Sequence, residues 1–238
     1  MWRFVIKAAL SLCVVLFLAA CWAHQPRPKL EDGVKADALA RRVMSAVGAD
    51  AWRQLHRMVF TFRGQRYDWK MSHQSVQVGL DSEQVILDLR AQTCARKADG
   101  EAIEADECRA HFSRWNNDSF WLHPFGKFFD PGAERSVCDI EEDGRTEPWL
   151  CVRFGAGGST PGDLYAIQVG ADGRPSAWRM WVKILPVGGV YTRWSNWKEL
   201  PGGAWFAGLR ELGVYTIPLE LISIETTARS GVLSIKSE

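Results

Sequence analysis

Four cysteines in the middle of the chain are candidates for covalent chemistry with one another. They are Cys94, Cys108, Cys138 and Cys151. Metal sites built from thiolates use close spacings such as Cys-x-x-Cys, and the chain contains none. An even number of cysteines in an oxidising compartment predicts two disulfides, which allow three pairings. We expect sequence neighbours to pair, because each neighbouring pair brackets a turn signal, Asp99-Gly100 or Asp143-Gly144.

The other residue types that could do chemistry do not form a catalytic or metal-binding pattern. The segment from Gly157 to Pro161 begins like a nucleophile elbow, but Pro161 stands where that motif requires glycine. Asp139 to Gly144 resembles the start of a calcium loop, yet Leu150 occupies the position of the bidentate glutamate. The five histidines share no metal spacing: His24, His56, His73, His111 and His123. The sequence therefore predicts no catalytic residue, no metal, no cofactor and no enzyme activity.

The N-terminus predicts a different modification. Arg3 and Lys7 introduce an uncharged apolar run, Ala8 to Ala20, of 13 residues. This run is shorter than the roughly 20 residues that span a bilayer as a helix, and it is typical of a signal peptide core. It ends in Leu18-Ala19-Ala20-Cys21, which resembles the bacterial lipobox. We expect cleavage before Cys21 and attachment of a lipid to its thiol, so that the chain is anchored to a membrane.

This interpretation divides the chain into three regions: a signal peptide (1–20), a lipidated tether (21–34) and a single domain (35–238). The alternative is an ordinary secretory signal whose cleavage site happens to precede a cysteine. Removal of the signal peptide leaves 27 lysines and arginines against 28 aspartates and glutamates. A net charge near −1 gives no electrostatic reason to bind nucleic acid.

Hydrophobic spacing predicts helices over 35–55, with a break near Gly48, and over 106–115. Alternating apolar residues predict four short strands between the helices. After Leu150, strands are predicted at 150–154, 163–169, 176–185, 190–198, 209–217 and 219–226. A total of roughly ten strands and two helices predicts an α+β fold: a strongly curved antiparallel sheet, or incomplete β-barrel, with helices covering its concave face.

The chain has 12 tryptophans. Such side chains suit the walls of an apolar pocket, and they equally suit an ordinary core. Phe120-Trp121-Leu122 follows the second predicted helix, where a lid over the sheet would lie. Four residues form one apolar face of the strand over 176–185: Trp178, Met180, Val182 and Ile184. We expect these two groups to face each other across a cavity and to contact a hydrophobic ligand.

Several segments resemble a group of uncharacterised bacterial lipoproteins. They are Ala49 to Arg53 with Phe60-Thr61-Phe62, Asp118 to Gly132, and Thr160 to Tyr165. Members of that group are similar to the carrier and receptor of outer-membrane lipoproteins, the LolA/LolB-like fold. The resemblance implies an incomplete barrel whose helices cover a cavity for acyl chains, and a location at the outer membrane facing the periplasm. It brings no catalytic residues with it.

The leading hypothesis is a membrane-anchored envelope lipoprotein that binds a lipid or another hydrophobic ligand and takes part in lipid or lipoprotein handling. The alternative is a structural or interaction lipoprotein that has a filled core and an envelope protein as its partner. A hydrolase is a remote third. A cavity of roughly 300 Å³ or more with apolar walls favours the first hypothesis.

Overall fold

The fold is mostly antiparallel sheet with few helices. The computed structural model describes residues 24–79, 84–96, 100–142, 144–156, 160–226 and 229–234. The signal peptide, Cys21 and residues 157–159 of the elbow-like segment lie outside this part of the chain. The α-helices are α1 (Val34–Ala46), α2 (Ala49–Arg53) and α3 (Ala105–Leu122), and two short 3₁₀ helices span Met71–His73 and Pro124–Lys127. None of the described helices is long and apolar enough to cross a membrane.

Fourteen strands among the described residues pair into one continuous arrangement. They are β1 (Glu31–Asp32), β2 (Leu55–Phe62), β3 (Gln65–Lys70), β4 (Ser75–Val78), β5 (Val85–Asp88), β6 (Thr93–Arg96), β7 (Ala133–Glu142), β8 (Arg145–Phe154), β9 (Asp163–Val169), β10 (Pro175–Trp181), β11 (Val190–Glu199), β12 (Trp205–Leu212), β13 (Tyr215–Thr226) and β14 (Arg229–Ser234).

The sheet is open. Its strands follow the order β1-β7-β8-β9-β10-β11-β12-β13-β2-β3-β4-β5-β6, with β14 added beside β13. Each strand pairs antiparallel with its neighbours, and the end strands β1 and β6 do not pair with each other within the described residues. The predicted antiparallel sheet with few helices is therefore confirmed.

Several strand predictions differ from the structure, three of them for identifiable reasons. β7 was not among the predicted strands, because its exposed acidic and basic side chains mask the alternation of buried Ser136, Cys138 and Ile140. The predicted break near Pro218 lies instead at Gly213 and Val214, and β13 runs through the proline. β10 ends at Trp181, so Ile184 belongs to the connection that follows it.

Helix α3 is longer than the predicted 106–115. The polar run from Asn116 to Ser119 disfavours helix intrinsically, but burial of Trp115, Asp118 and Leu122 against the sheet outweighs that weak preference. Phe120-Trp121-Leu122, which was expected to be a connecting lid, is therefore the last turn of this helix. The apolar face of the predicted part of the helix, formed by Cys108, Phe112 and Trp115, packs on the core.

The predicted interruption of the first helix at Gly48 is confirmed. Gly48 has a φ of 67° and separates α1 from α2. A Cβ atom at this position would lie 2.0 Å from the carbonyl oxygen of Gly203. Glycine is therefore needed both for the left-handed backbone and for the close approach of the helix pair to the β11–β12 turn.

The buried side chains form three clusters. The first packs α3 against β2 to β6, and the second packs α1 and the 3₁₀ helix at Pro124–Lys127 against β8 to β12. The third lies on the opposite face of β7 to β10. β8 shows the alternation directly, since Leu150 and Val152 enter the second cluster and Trp149 and Cys151 enter the third.

Both disulfides join the predicted sequence neighbours. Cys94 pairs with Cys108, with their Cα atoms 5.6 Å apart, and so ties β6 to the first turn of α3. Cys138 pairs with Cys151 across the β7–β8 hairpin, with a Cα separation of 5.9 Å. Both bridges close local loops, which is how each restricts the unfolded chain.

His123 caps the C-terminal end of α3 and is a candidate source of pH-dependent stability. Its ring stacks on Trp52 with centroids 4.0 Å apart, and its Nδ1 atom is shielded from solvent without a hydrogen-bond partner among the described residues. Burial, assisted by the charge of Lys127, lowers the pKa of His123 from 6.5 to about 3.

We predict that His123→Phe makes the protein less sensitive to acid, because phenylalanine retains a ring on Trp52 but cannot titrate. Between about pH 6.5 and about pH 3 the unfolded chain binds a proton that the folded protein does not, so stability falls as the pH falls through this window. Urea unfolding should show that the wild type loses about 1–2 kcal/mol more than the variant between about pH 7.5 and about pH 5. Equal losses in the two proteins would contradict this assignment.

Candidate functional site

The two apolar groups predicted to bind a ligand contact each other directly. The ring centroids of Trp121 and Trp178 are 5.0 Å apart in an edge-to-face arrangement. Met180 and Val182 are buried with Trp178 in the second cluster, and Leu122 is buried in the first. The space between the two groups is therefore filled core, which corrects the expectation of a cavity there.

Phe120 and Ile184, the other two predicted ligand residues, line a cavity elsewhere. This cavity has a volume of about 750 Å³ and lies between α3 and one end of the sheet. Residues of α3, the β2–β3 turn, the segment after the 3₁₀ helix, and β8 and β9 form its walls. Its lining includes Arg63, Gln65, Arg114, Asn117, Asp118, Phe120, Lys127, Phe154, Asp163, Tyr165 and Ile184.

Helix α3 contributes opposite faces to the core and to the cavity. Residues three and four positions apart lie on one side of a helix. Phe112 and Trp115 therefore pack into the core, whereas Ala110, Arg114 and Asn117 line the cavity. The position of this helix consequently determines both the packing of the first cluster and the width of the cavity.

Three aromatic rings form the apolar wall of the cavity. The centroid of Phe120 lies 5.4 Å from that of Phe154 and 4.8 Å from that of Tyr165, and the rings of Phe154 and Tyr165 are 6.0 Å apart. These separations are in the range of favourable aromatic contacts. All three side chains are partly exposed, so the wall presents apolar surface to the cavity.

Two carboxylates of the cavity are buried and already hydrogen-bonded. Asp118 accepts hydrogen bonds from the hydroxyl of Tyr67 and from Nδ2 of Asn117. Asp163 accepts one from the hydroxyl of Thr160 and one from the backbone N–H of Lys183, the latter at 3.0 Å. Neutral donors satisfy both groups, so these aspartates help to fix the walls of the cavity.

Three exposed cations stand at the rim of the cavity: Arg63, Arg114 and Lys127. Arg114 donates a hydrogen bond to Oε1 of Gln65 at 3.1 Å. None of the three forms a salt bridge with a carboxylate in the described part of the chain. The cavity therefore combines an aromatic wall with a rim of cations that have no ionic partner there.

The tyrosine hydroxyls near the cavity are held in their neutral form. Burial, together with the hydrogen bond to Asp118, raises the pKa of Tyr67. Burial and the nearby charge of Asp163 raise the pKa of Tyr165. A raised pKa is the opposite of what a hydroxyl needs in order to act as a base or nucleophile near neutral pH. No group of metal-ligating side chains occurs among the described residues either.

Arg210 holds the end of α3 that carries Phe120. Its side chain is fully buried, and Nη2 donates to the carbonyl oxygen of Trp121 at 2.6 Å while Nη1 donates to that of Ala207 at 2.7 Å. The guanidinium lies 3.8 Å from the ring centroid of Trp194. Burial lowers the pKa of Arg210 to about 9, so the side chain is still charged at neutral pH. Its positive charge also complements the helix C-terminus.

Sequence reasoning missed most of the polar residues of this site. Arg63, Arg114 and Lys127 resemble ordinary surface cations until the fold brings them to one rim. A partial signal was present, because two segments singled out in the sequence both contribute to the cavity walls. The segment from Asp118 to Gly132 supplies Asp118, Phe120 and Lys127, and the segment from Thr160 to Tyr165 supplies Asp163 and Tyr165.

A second hollow, of about 790 Å³, lies between the start of α1 and β7. Its lining includes Val34, Leu39 and Val137 together with charged residues, but no aromatic side chain. It therefore lacks the extended apolar wall that distinguishes the first cavity.

Comparison with known proteins leaves the family of the chain open. No protein-family model matches it, and no curated protein matches it. Among solved structures, it is similar to an outer membrane lipoprotein-sorting protein domain from Vibrio parahaemolyticus, with 10% sequence identity and a TM-score of 0.34. That match covers 79% of this chain and 93% of the other. A likeness of this extent carries no argument about function.

We predict that Arg210→Lys destabilises the protein by about 2–3 kcal/mol, because a single ammonium cannot replace the planar fork that binds the carbonyls of Trp121 and Ala207. The free energy of unfolding in urea measures the effect. The matched control is Arg193→Lys on the neighbouring strand, where the side chain is 67% exposed and pairs with Glu211 at 3.6 Å. That change should cost less than about 0.5 kcal/mol. Similar costs at the two positions would contradict the role given to Arg210.

Proposed function

We propose that this chain is a lipid-anchored envelope protein that binds an amphiphile with an anionic head and an apolar tail in the cavity beside α3. The head would contact the cations Arg63, Arg114 and Lys127. The tail would lie against the aromatic wall of Phe120 and Tyr165. Handling of lipids or lipoproteins in the envelope is the broader role that such binding would serve.

The observation that carries this proposal is the combination of both features in one cavity. Its volume of about 750 Å³ is within the range of roughly 300–1,000 Å³ that is usual for sites of small molecules. Exposed aromatic surface stabilises an apolar tail, and unpaired guanidinium and ammonium groups favour a carboxylate or phosphate. A surface groove without a ligand would not require both an exposed aromatic wall and a rim of cations.

The anchor in this proposal comes from the sequence. Cys21 would carry a diacylglycerol, because a short apolar run and a lipobox-like segment precede it. The outer membrane, on its periplasmic side, is the proposed location. We further propose that α1 and α3 cover the concave face of an incomplete barrel, consistent with their packing on the first and second clusters.

We propose binding without catalysis. The hydroxyls of Tyr67 and Tyr165 are held protonated, and the carboxylates of Asp118 and Asp163 are engaged by neutral donors. A general base or a nucleophile would need an available lone pair beside the substrate. This arrangement favours recognition of a ligand over its chemical conversion.

A second candidate function is supported by the filled core between Trp121 and Trp178. Such packing is what we expected of a structural lipoprotein that meets an envelope protein through its outer surface. In that case the cavity beside α3 would be a surface feature without a ligand of its own. Binding measurements separate the two candidates.

We predict that the protein binds a fluorescent fatty acid and that Arg114→Gln weakens this binding about fivefold, equivalent to about 1 kcal/mol. Binding of the matching uncharged fatty alcohol should not change, because the alcohol has no negative charge for Arg114 to contact. Phe154→Ala should weaken binding of both probes, since it removes part of the aromatic wall. Fluorescence titration gives the dissociation constants.

Arg109→Gln is the control for Arg114→Gln. Arg109 lies on the same helix, is exposed, pairs with Asp106 and does not line the cavity. If neither probe binds, or if the two arginine variants behave alike, the cavity is not the site and the interaction function becomes the better account.

A further inference from the structure

The tether between Cys21 and the domain is attached to the sheet. The backbone N–H of Gln25 donates to the carbonyl oxygen of Gly188 at 2.9 Å, and the indole N–H of Trp181 donates to the carbonyl oxygen of Gln25 at 2.8 Å. The N–H of Gly188 donates to Nδ1 of His24 at 3.0 Å. The first described residues of the chain therefore lie against the β10–β11 connection.

Two glycines make room for this contact. A Cβ atom at Gly188 would lie 2.5 Å from Cδ1 of Trp181, and one at Gly189 would lie 2.6 Å from Cβ of Gln25. Farther along the tether, Arg27 donates to the carbonyl oxygen of Gly162 at 3.1 Å. The tether therefore follows one edge of the domain, past the starts of β11 and β9.

A lipid on Cys21 would be held close to this edge. Three peptide units separate Cys21 from His24, and a fully extended chain spans at most about 3.6 Å per residue. A lipid attached to Cys21 would therefore join the chain within about 11 Å of the point where His24 meets Gly188.

The antiparallel order brings the connections between β2 and β3, β8 and β9, β10 and β11, and β12 and β13 to the same end of the sheet, where β4 also ends and β5 begins. The register pairs Trp181, the last residue of β10, with Leu164 near the start of β9, and it pairs Phe62, the last residue of β2, with Leu219 in the first half of β13. The cavity lies at this end, since Arg63 and Ile184 line it. We call it the cavity end.

The cavity end carries three of the most exposed large apolar side chains among the described residues. Ile184 is 69% exposed, Val214 is 92% exposed and Tyr215 is 72% exposed. Arg63 and Lys183 are exposed cations on the same connections. Apolar side chains beside cations suit a surface of lipid headgroups, which is anionic and covers acyl chains.

We propose that the cavity end of the sheet rests on the lipid bilayer, with Ile184, Val214 and Tyr215 at the level of the headgroups. The attached tether fixes this orientation, so that the mouth of the cavity faces the membrane that carries the anchor. An amphiphile could then pass between bilayer and cavity without crossing open water. This inference depends on the proposed lipid anchor but not on the identity of the ligand.

The test measures depth in the bilayer at two opposite points of the full lipidated protein. Val214→Cys places a fluorescent label at the cavity end, and Ala91→Cys places it on the β5–β6 turn, which lies at the opposite end of the sheet. The protein is reconstituted into vesicles of phosphatidylethanolamine and phosphatidylglycerol that contain spin-labelled lipid. We expect quenching at position 214 to be several-fold stronger than at position 91, and Ile184→Cys to behave like Val214→Cys.

Trp181→Phe removes the indole N–H that binds Gln25. This change should reduce the difference in fluorescence quenching between labels at positions 214 and 91. Trp149→Phe is its control, because the Trp149 indole belongs to the same cluster and has no hydrogen-bond partner among the described residues. Equal quenching at the two label positions, or stronger quenching at position 91, would overturn the orientation while leaving the anchor intact. A protein that fails to float with the vesicles at all would overturn the anchor and this inference together.

Discussion

The buried guanidinium of Arg210 is the constraint on which the candidate site depends. It joins the last turn of α3 to β12 through the carbonyls of Trp121 and Ala207, and it lies on the ring of Trp194 without a carboxylate partner in the described chain. Burying a charge is costly unless hydrogen bonds replace its hydration, so this arrangement tolerates little displacement of the helix. Because α3 is held there, Phe120 is kept between the core and the cavity, and Arg114 is kept at the rim.

Helix α3 separates two environments, a packed core on one side and the cavity on the other. On its core side, rings of the first and second clusters are in direct contact, as Trp121 and Trp178 illustrate. On its other side, Phe120, Phe154 and Tyr165 retain exposed surface beside cations that lack ionic partners among the described residues. A filled core stabilises the sheet, and an amphipathic cavity outside it can bind a ligand without disturbing that packing. This division makes a solid core compatible with the proposed binding of a lipid.

Local patterns in the sequence predicted those structural features that depend on residues close together in the chain. The strand Asp163–Val169, the break at Gly48 and both disulfides depend on alternation, backbone freedom or short loops. The full length of α3 could not be predicted, because burial of Trp115 and Leu122 outweighs the low helix preference of the residues between them. The cavity was expected between Trp121 and Trp178, which instead contact each other. The reason is related, because periodicity identifies apolar residues but does not show which of them pack together. The rim of Arg63, Arg114 and Lys127 unites residues far apart in the chain, and no local pattern contains that information.

Photochemical crosslinking in native membranes would show whether an amphiphile occupies the cavity beside α3. A fatty acid with a diazirine in its tail would be supplied to cells that express the full chain, activated by light, and located by peptide mass spectrometry. We expect adducts on the peptides that contain Phe120, Phe154 and Tyr165, and we expect them to be lost when excess unlabelled fatty acid is present. Adducts confined to the hollow beside α1, or adducts that unlabelled fatty acid does not reduce, would contradict it.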